Sequence, residues 1–277
     1  MKWKRSERLI DITLHLLEHP QKVIPLTVFS EKYDVARSSV SEDIRIVKNI
    51  FEQRGTGNLV TVPGSTGGVK YIPKMSNAEV QDVMAELIDK LREENRLLPG
   101  GYLFMADLLG DSHLIDRVGR VFASKFANEQ IDVVMTVETK GIQIAHSIAR
   151  YLNVPVVIVR RDSKVTEGST VSINYVSGST RRIEQMVLSK RIMESGQKVL
   201  LTDDFMKAGG TMRGMTSLLE EFNCELAGIA VLVEAEHHEE ILVEDYISLI
   251  KLCKVNEKSR TIELSEGNYF KKGGRFE

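Results

Sequence analysis

At 277 residues, 42% hydrophobic and 27% charged, the chain has room for two globular domains of roughly 100–200 residues each. No apolar run approaches the ~20 residues needed to cross a bilayer, and the charged opening MKWKRSERLID leads into an amphipathic stretch. Cys224 and Cys253 make neither a metal spacing nor a disulfide framework, so membrane, secreted and zinc-module classes drop out and a cytoplasmic protein is expected.

Charge divides unevenly along the chain. Residues 1–74 hold 12 Lys/Arg against 8 Asp/Glu, net +4, and the remainder holds 25 against 31, net −6. A basic amino-terminal module on an acidic body suggests a local contact with a polyanion. From Arg5 to His19, Leu9, Ile12 and Leu16 recur at helical steps, and Pro20 ends the helix. Pro25 is expected in the first turn of a second helix carrying Leu26, Phe29 and Tyr33. Asp34-Val35 makes a turn. A third helix is predicted from about Arg37 to Arg54, with Val40, Ile44, Val47 and Phe51 inward and Gly55 as its stop. Leu59–Val62 and Val69–Ile72 then flank Pro63-Gly64-Ser65-Thr66-Gly67-Gly68 as a hairpin. Pro73 to Asn77 reads as a hinge. Ser76 with Glu79 forms a capping box opening a linker helix with Val80, Val83, Leu87 and Leu91, expected to end at Pro99-Gly100-Gly101.

Beyond the linker, short β-branched runs (Ile131–Val137, Val154–Val159, Val199–Thr202, Ile229–Val233) alternate with helical patterns at Ile115–Phe126, Gly141–Leu152 and Thr211–Phe222. That alternation predicts an α/β domain with a mainly parallel sheet. Ser169–Val176 alternates as a strand does, whereas Ile183–Met193 fits strand and helix equally.

Three helices followed by a hairpin describe a winged helix over residues 1–74, leaving residues 75–277 for the linker and the α/β domain. Opposite the third helix's apolar stripe lie Arg37, Ser38, Ser39, Ser41, Arg45 and Lys48. Arginine can bond guanine bidentately, and serine hydroxyls can reach bases or phosphates in a major groove. Ser65, Thr66 and Lys70 flank the glycine-rich hairpin tip, and Lys2, Lys4 and Arg5 offer phosphate contacts. Glu42 and Asp43 are expected to interrupt the basic face. The bland alternative is a solvated polar surface on a small helical domain.

The stretch VLLTDDFMKAGGT at residues 199–211 is an apolar strand, two adjacent acids, a small-residue loop and a helix start. Glycines there let backbone N–H groups wrap a phosphate at a helix N-terminus, and carboxylates beside an anion site need another target, such as sugar hydroxyls or Mg²⁺. This order resembles the phosphoribosyl pyrophosphate (PRPP) motif of type I phosphoribosyltransferases, and the likeness extends over roughly residues 100–250. It implies that Asp203 and Asp204 hold the ribose hydroxyls and that Lys207, Ala208, Gly209, Gly210 and Thr211 cradle the 5′-phosphate, with Phe205 and Met206 alongside. Upstream, Glu138-Thr139-Lys140-Gly141 is similar to that family's pyrophosphate loop. Arg160 and Arg161 either approach the same group or are solvated strand ends. Arg96 and Tyr102 either edge the ligand or pack between domains.

A winged helix joined to this domain resembles, end to end, the bacterial purine operon repressor family. The resemblance implies a homodimer that binds double-stranded operator DNA, with no membrane contact and no required cofactor. It also implies that PRPP acts as inducer, with or without Mg²⁺, or that a related pyrophosphate-bearing nucleotide takes the pocket. Where purine phosphoribosyltransferases often carry Asp-Thr-Gly or Ala-Thr-Gly, this loop has Lys207 and Ala208. A charged lysine is a poor proton acceptor and a good phosphate partner. No catalytic residue is therefore assigned, and the alternative is an active purine phosphoribosyltransferase with a regulatory arm. His237 and His238 beside Glu239 and Glu240 read as a surface run with no metal site, and Lys271, Lys272 and Arg275 as a basic tail.

Overall fold

Hydrophobic spacing in the first 73 residues yields three helices and a small sheet in the computed structural model, which describes residues 3–64, 66–93, 96–99, 102–163, 165–176, 182–236, 241–259 and 261–271. Helices α1 (Arg5–Glu18), α2 (Leu26–Tyr33) and α3 (Arg37–Arg54) bury Ile12, Leu16, Phe29, Val40 and Val47 against one another. Each such fully buried side chain is worth about 1.5–3 kcal/mol relative to exposure. Pro25 stands one position before the first turn of α2, as its N-cap and not inside the helix as expected. Strands β2 (Gly57–Val62) and β3 (Gly68–Pro73) form the predicted hairpin. A two-residue strand, β1 (Val23–Ile24), joins β3 to give the order β1-β3-β2, too short a run for periodicity to reveal. Gly55 caps α3 at φ +65°, in the left-handed region where a Cβ is strained.

Helix α4 (Asn77–Leu91) opens with the Ser76/Glu79 capping box, and its Val80, Val83, Met84, Leu87 and Leu91 are buried in the core of the larger domain, so this stretch packs as one of that domain's layers. It ends at Leu91, well before Pro99. The chain then folds back as β4 (Leu97–Leu98) paired with β5 (Tyr102–Leu103) around Pro99, because two short apolar pairs flank the turn. The stretch read as a hinge is fastened too: Lys74 O accepts from Arg120 and Met75 N donates to Ser124 Oγ.

The remaining elements are α5 (Ala106–Gly110), α6 (Ser112–Lys125), β6 (Val133–Val137), α7 (Ile142–Leu152), β7 (Val156–Val159), β8 (Thr170–Val176), β9 (Ile183–Ser189), β10 (Lys198–Met206), α8 (Gly210–Glu221), β11 (Glu225–Ala235), β12 (Tyr246–Asn256) and β13 (Thr261–Glu266). Six strands form one sheet in the order β13-β12-β11-β10-β6-β7, all parallel except β13. Strand alternation sends Val133, Met135, Val199, Leu201, Ile229 and Val231 to the side of α8 and the β8–β9 hairpin. Val134, Leu200, Ala230 and Leu232 face the layer of α4, α6 and α7. Burial on both faces explains the continuous apolar runs. The ambiguous Ile183–Met193 resolves as a strand to Ser189, antiparallel to β8.

Candidate functional site

Helix α3 presents Arg37, Ser38, Ser41, Arg45 and Lys48 to solvent, the last four following one face at steps of three and four residues. Ser39 is half-buried at its edge, and Ser41 Oγ donates back to Arg37 O at 3.0 Å. The N-cap, Ala36, supplies no side-chain cap, so the first N–H groups of α3 keep their positive end open to an anion. Asp43, expected on this face, is 1% exposed. It points inward, where Arg5 Nε (3.0 Å) and Arg8 Nε (2.8 Å) both donate to it. The face is therefore more basic than the sequence suggested, while Arg5 serves to hold α1 against α3 as well as carrying charge. Lys48 lies 3.8 Å from Glu52 and is half-exposed. Lys4 and Thr66 are exposed, and Lys70 is half-buried in β3 opposite Val60. Lys2 and Ser65 lie outside the described residues.

Beside that face runs a strip no polar pattern signalled. Ile10 and Leu14 of α1 and Ile46 and Ile50 of α3 are all substantially exposed and line an apolar groove of about 320 Å³. Periodicity found the buried stripe of each helix and passed over this second one.

At the carboxyl ends of the parallel strands, where α/β sheets place ligands, a cavity of about 950 Å³ gathers most of the remaining candidates. Asp203 and Asp204 belong to strand β10, which runs on through them to Met206, further than the apolar run alone predicted. Both are buried, at 7% and 8% exposure. Burial pushes the Asp203 carboxyl well above the usual carboxylate range, and the Asp204 charge adds to it. Burial also raises Asp204, against the pull of the Asp203 hydrogen bond and the Lys140 charge. Asp203 Oδ1 accepts from Asp204 N at 2.9 Å. Lys207, Ala208 and Gly209 then turn into α8, which starts at Gly210. Gly209 has φ +80°, and a Cβ there would meet Val243 Cγ2 at 2.8 Å, so only glycine fits. Thr211 lies in the first turn of α8, whose opening N–H groups have no partner within the helix, and it lines the cavity.

The second loop sits across from it. Glu138, Thr139 and Lys140 line the cavity, the Glu138–Thr139 peptide is cis, and Gly141 is packed so tightly that a Cβ would lie 2.2 Å from Thr136 Oγ1 and 3.1 Å from Asp203 Oδ1. Glu138 itself is a brace: its carboxylate accepts from Arg161 N (2.9 Å) and Arg160 Nη1 (3.3 Å). Arg160 is further tied to Glu167 at 2.8 Å and lies outside the cavity lining, whereas Arg161 lines it. Tyr102 also lines the cavity, 59% exposed. Arg96 does not: it is buried among Lys90 O, Glu93 and Asp107, locking the turn after α4.

Two features escaped the sequence reading because they are non-local. Arg161 pairs with Glu184, which also accepts from Tyr175 OH at 2.8 Å, so the β8–β9 hairpin is latched to the segment that follows β7, and burial pushes the Tyr175 phenol up to about 12. Strand β12, missed altogether, brings Cys253, Lys254 and Val255 to the cavity lining. Among the described residues no three His, Cys, Asp or Glu side chains form a metal cluster, and no helix is long and apolar enough to cross a membrane. His237, His238, Lys272 and Arg275 lie outside the described residues, as do Gly100 and Gly101.

Residues 4–73 match the family described as bacterial purine repressor, N-terminal, and residues 107–261 match the phosphoribosyl transferase domain. Over 271 residues, 98% of this chain and 95% of the relative, the sequence is 57% identical to the purine biosynthesis transcriptional repressor PurR of Bacillus subtilis. It is 47% identical over 267 residues, 96% and 98% of the two chains, to the purine biosynthesis transcriptional activator PurR of Lactococcus lactis. In fold it is similar to an adenine phosphoribosyltransferase from Thermoanaerobacter pseudethanolicus (TM-score 0.53, 24% identity, 60% of this chain and 98% of that one).

Proposed function

This chain belongs to the bacterial purine repressor family, and from that premise we propose that it is a cytoplasmic homodimer that represses purine biosynthesis genes and reads PRPP as its inducer. Residues 1–74 bind operator DNA and residues 75–277 bind the effector. Repression is preferred to activation because identity is higher to the repressor, 57% against 47%. The observation that carries the effector reading is the pair of buried acids at the end of β10, followed by the Gly209 turn at the mouth of a cavity of about 950 Å³.

In this reading Asp203 and Asp204 accept from the ribose hydroxyls. The N–H groups from Lys207 to Thr211 hold the 5′-phosphate, with the Lys207 ammonium neutralising it. Lys140 and Arg161 face the diphosphate from the other wall. The donor set suits Mg²⁺ held by one or two carboxylates and the ligand's own phosphates, not by a protein-only cage. A cation there would favour the ionised form of both acids and relieve the repulsion between them. On the DNA side, Arg37, Ser38 and Arg45 read the major groove from α3, while Lys4, Lys48, Thr66 and Lys70 contact phosphates.

The domain binds without turnover in this account, since Lys207 stands where a general base is needed and no other candidate base occupies the loop. The deciding experiment supplies PRPP, Mg²⁺ and each of xanthine, hypoxanthine, guanine and adenine, and follows nucleotide formation beside calorimetric binding. PRPP uptake without nucleotide is expected. Sustained nucleotide formation would instead make the protein a phosphoribosyltransferase with a DNA-binding arm.

A further inference from the structure

We propose that Arg120 positions the DNA-reading helix against the effector domain, and that displacement of the Glu138–Gly141 loop reaches α3 through α7, α6 and this one guanidinium. The inference rests on the two binding sites proposed above and supplies the link between them.

The amino-terminal module is fastened to the larger domain along one side of α6 and the turn after it. Residues 120, 124 and 127 follow at steps of four and three, so they share a face. Arg120 Nη2 donates to Gly55 O and to Lys74 O, each at 2.8 Å. Gly55 is the cap of α3, and Lys74 follows the last residue of the wing strand β3, so one side chain holds both halves of the DNA-reading unit. Ser124 Oγ accepts from Met75 N at 3.0 Å, and Ala127 O accepts from Gln21 Nε2 at 3.2 Å. Among these contacts only Arg120 touches the recognition helix. Its Nε is buried without a partner among the described residues, so the clamp is incompletely satisfied and a small shift can weaken it.

The other face of α6 leads to the effector loop. Helix α7 begins directly after Gly141, which is wedged between Thr136 and Asp203. Midway along α7, Ser147 Oγ donates to Ile115 O of α6 at 2.8 Å. A Cβ on Gly119 would lie 2.0 Å from Ser147 Oγ and 2.6 Å from Ser147 C, so the two helices meet at backbone distance one residue before Arg120. Interiors packed this closely do not deform continuously. A movement of α7 imposed by ligand at Lys140 and Gly141 therefore displaces α6 at Gly119, and Arg120 carries it to Gly55. Ser147, Gly119 and Arg120 lie outside the cavity lining and the exposed face of α3, so coupling can be altered at these positions without altering either site.

The test uses the full chain with Arg120→Met, Arg120→Lys and Ser147→Ala. Fluorescence anisotropy gives operator affinity with and without PRPP and Mg²⁺, calorimetry gives PRPP affinity, and a thermal melt checks folding. Coupled sites typically change each other's affinity about 5–150-fold. Arg120→Met should keep PRPP affinity within about 2-fold of wild type while the ratio of operator affinities falls to within about 2-fold of one. Arg120→Lys, which can reach one carbonyl but not both, should retain part of the ratio, and Ser147→Ala should lower it by a smaller factor. An unchanged ratio in folded Arg120→Met overturns the inference, as does loss of PRPP binding together with the ratio. If Arg120→Met does not fold, an unchanged ratio in Ser147→Ala does the same. A wild-type protein that binds PRPP and operator independently would instead overturn the reading of the two sites.

Discussion

On α3, Ser38, Arg45 and Lys48 stand in water on one face of a helix whose stability comes from the opposite face, Val40, Ile44, Val47 and Phe51. At the end of β10 the arrangement is reversed: Asp203 and Asp204 are inside the protein, held between a strand and a glycine-locked turn, at a cost in desolvation. The contrast shows how the two candidate surfaces should respond to change. A solvated face can lose a side chain without harm to the fold, and its contribution to binding is paired with salt. A buried acidic pair is already destabilising before any ligand arrives, so its removal weakens binding and strengthens the fold.

The largest effect should come from the buried side. Asp204→Ala removes a charge-assisted hydrogen-bond acceptor, and PRPP affinity should fall by about 1.5–3 kcal/mol per lost contact, measured by calorimetry with Mg²⁺, while operator affinity without effector stays unchanged. Loss of operator binding in the same variant would erase the division between the regions. On the open side, Arg45→Ala should weaken operator binding by about 1–3 kcal/mol and relax preference at one base position, with PRPP affinity intact. If all sequences were weakened equally, Arg45 would be a phosphate contact and not a base reader.

A smaller effect separates the regions by stability. The Asp203 carboxyl titrates higher in the fold than in the unfolded chain, so the folded state binds the extra proton and stability falls as pH rises from about 3.9 through the raised value. Asp203→Asn should remove that fall and raise stability of the ligand-free protein near neutral pH by about 0.5–2 kcal/mol, while losing effector affinity. Denaturant titrations at acidic and neutral pH read this directly, and a variant less stable than wild type at neutral pH would contradict it. Smallest of all, Lys48→Ala should reduce the slope of log operator affinity against log salt by about one and shift affinity nearly equally for all sequences.

How much of this could be read beforehand also differs between the regions. The helices, turn and hairpin of the first module follow from local spacing, and so did the exposed face of α3. Asp43 was misplaced because its burial depends on Arg5 and Arg8, more than thirty residues away in the chain. The β10–α8 turn was legible because acids, small residues and glycines are contiguous there. Its surroundings were not. Arg161 could not be preferred to Arg160 without Glu138, Glu167 and Glu184. Strand β12 went unseen because Lys251 and Lys254 interrupt an otherwise apolar run, although they sit on a sheet whose edge is covered by β13. The end of α4 was set too late, since Arg96 stabilises the turn through Asp107 and Glu93 and not through Pro99.

The central claim is that one ligand, seated against the β10 acids, loosens the grip of a distant helix on DNA. Its most direct test is a titration of PRPP with Mg²⁺ into the preformed protein–operator complex at constant ionic strength, followed by anisotropy. Saturable release of DNA, absent in Asp204→Ala, is predicted. A complex that stays intact while calorimetry under the same conditions shows PRPP bound would contradict the account.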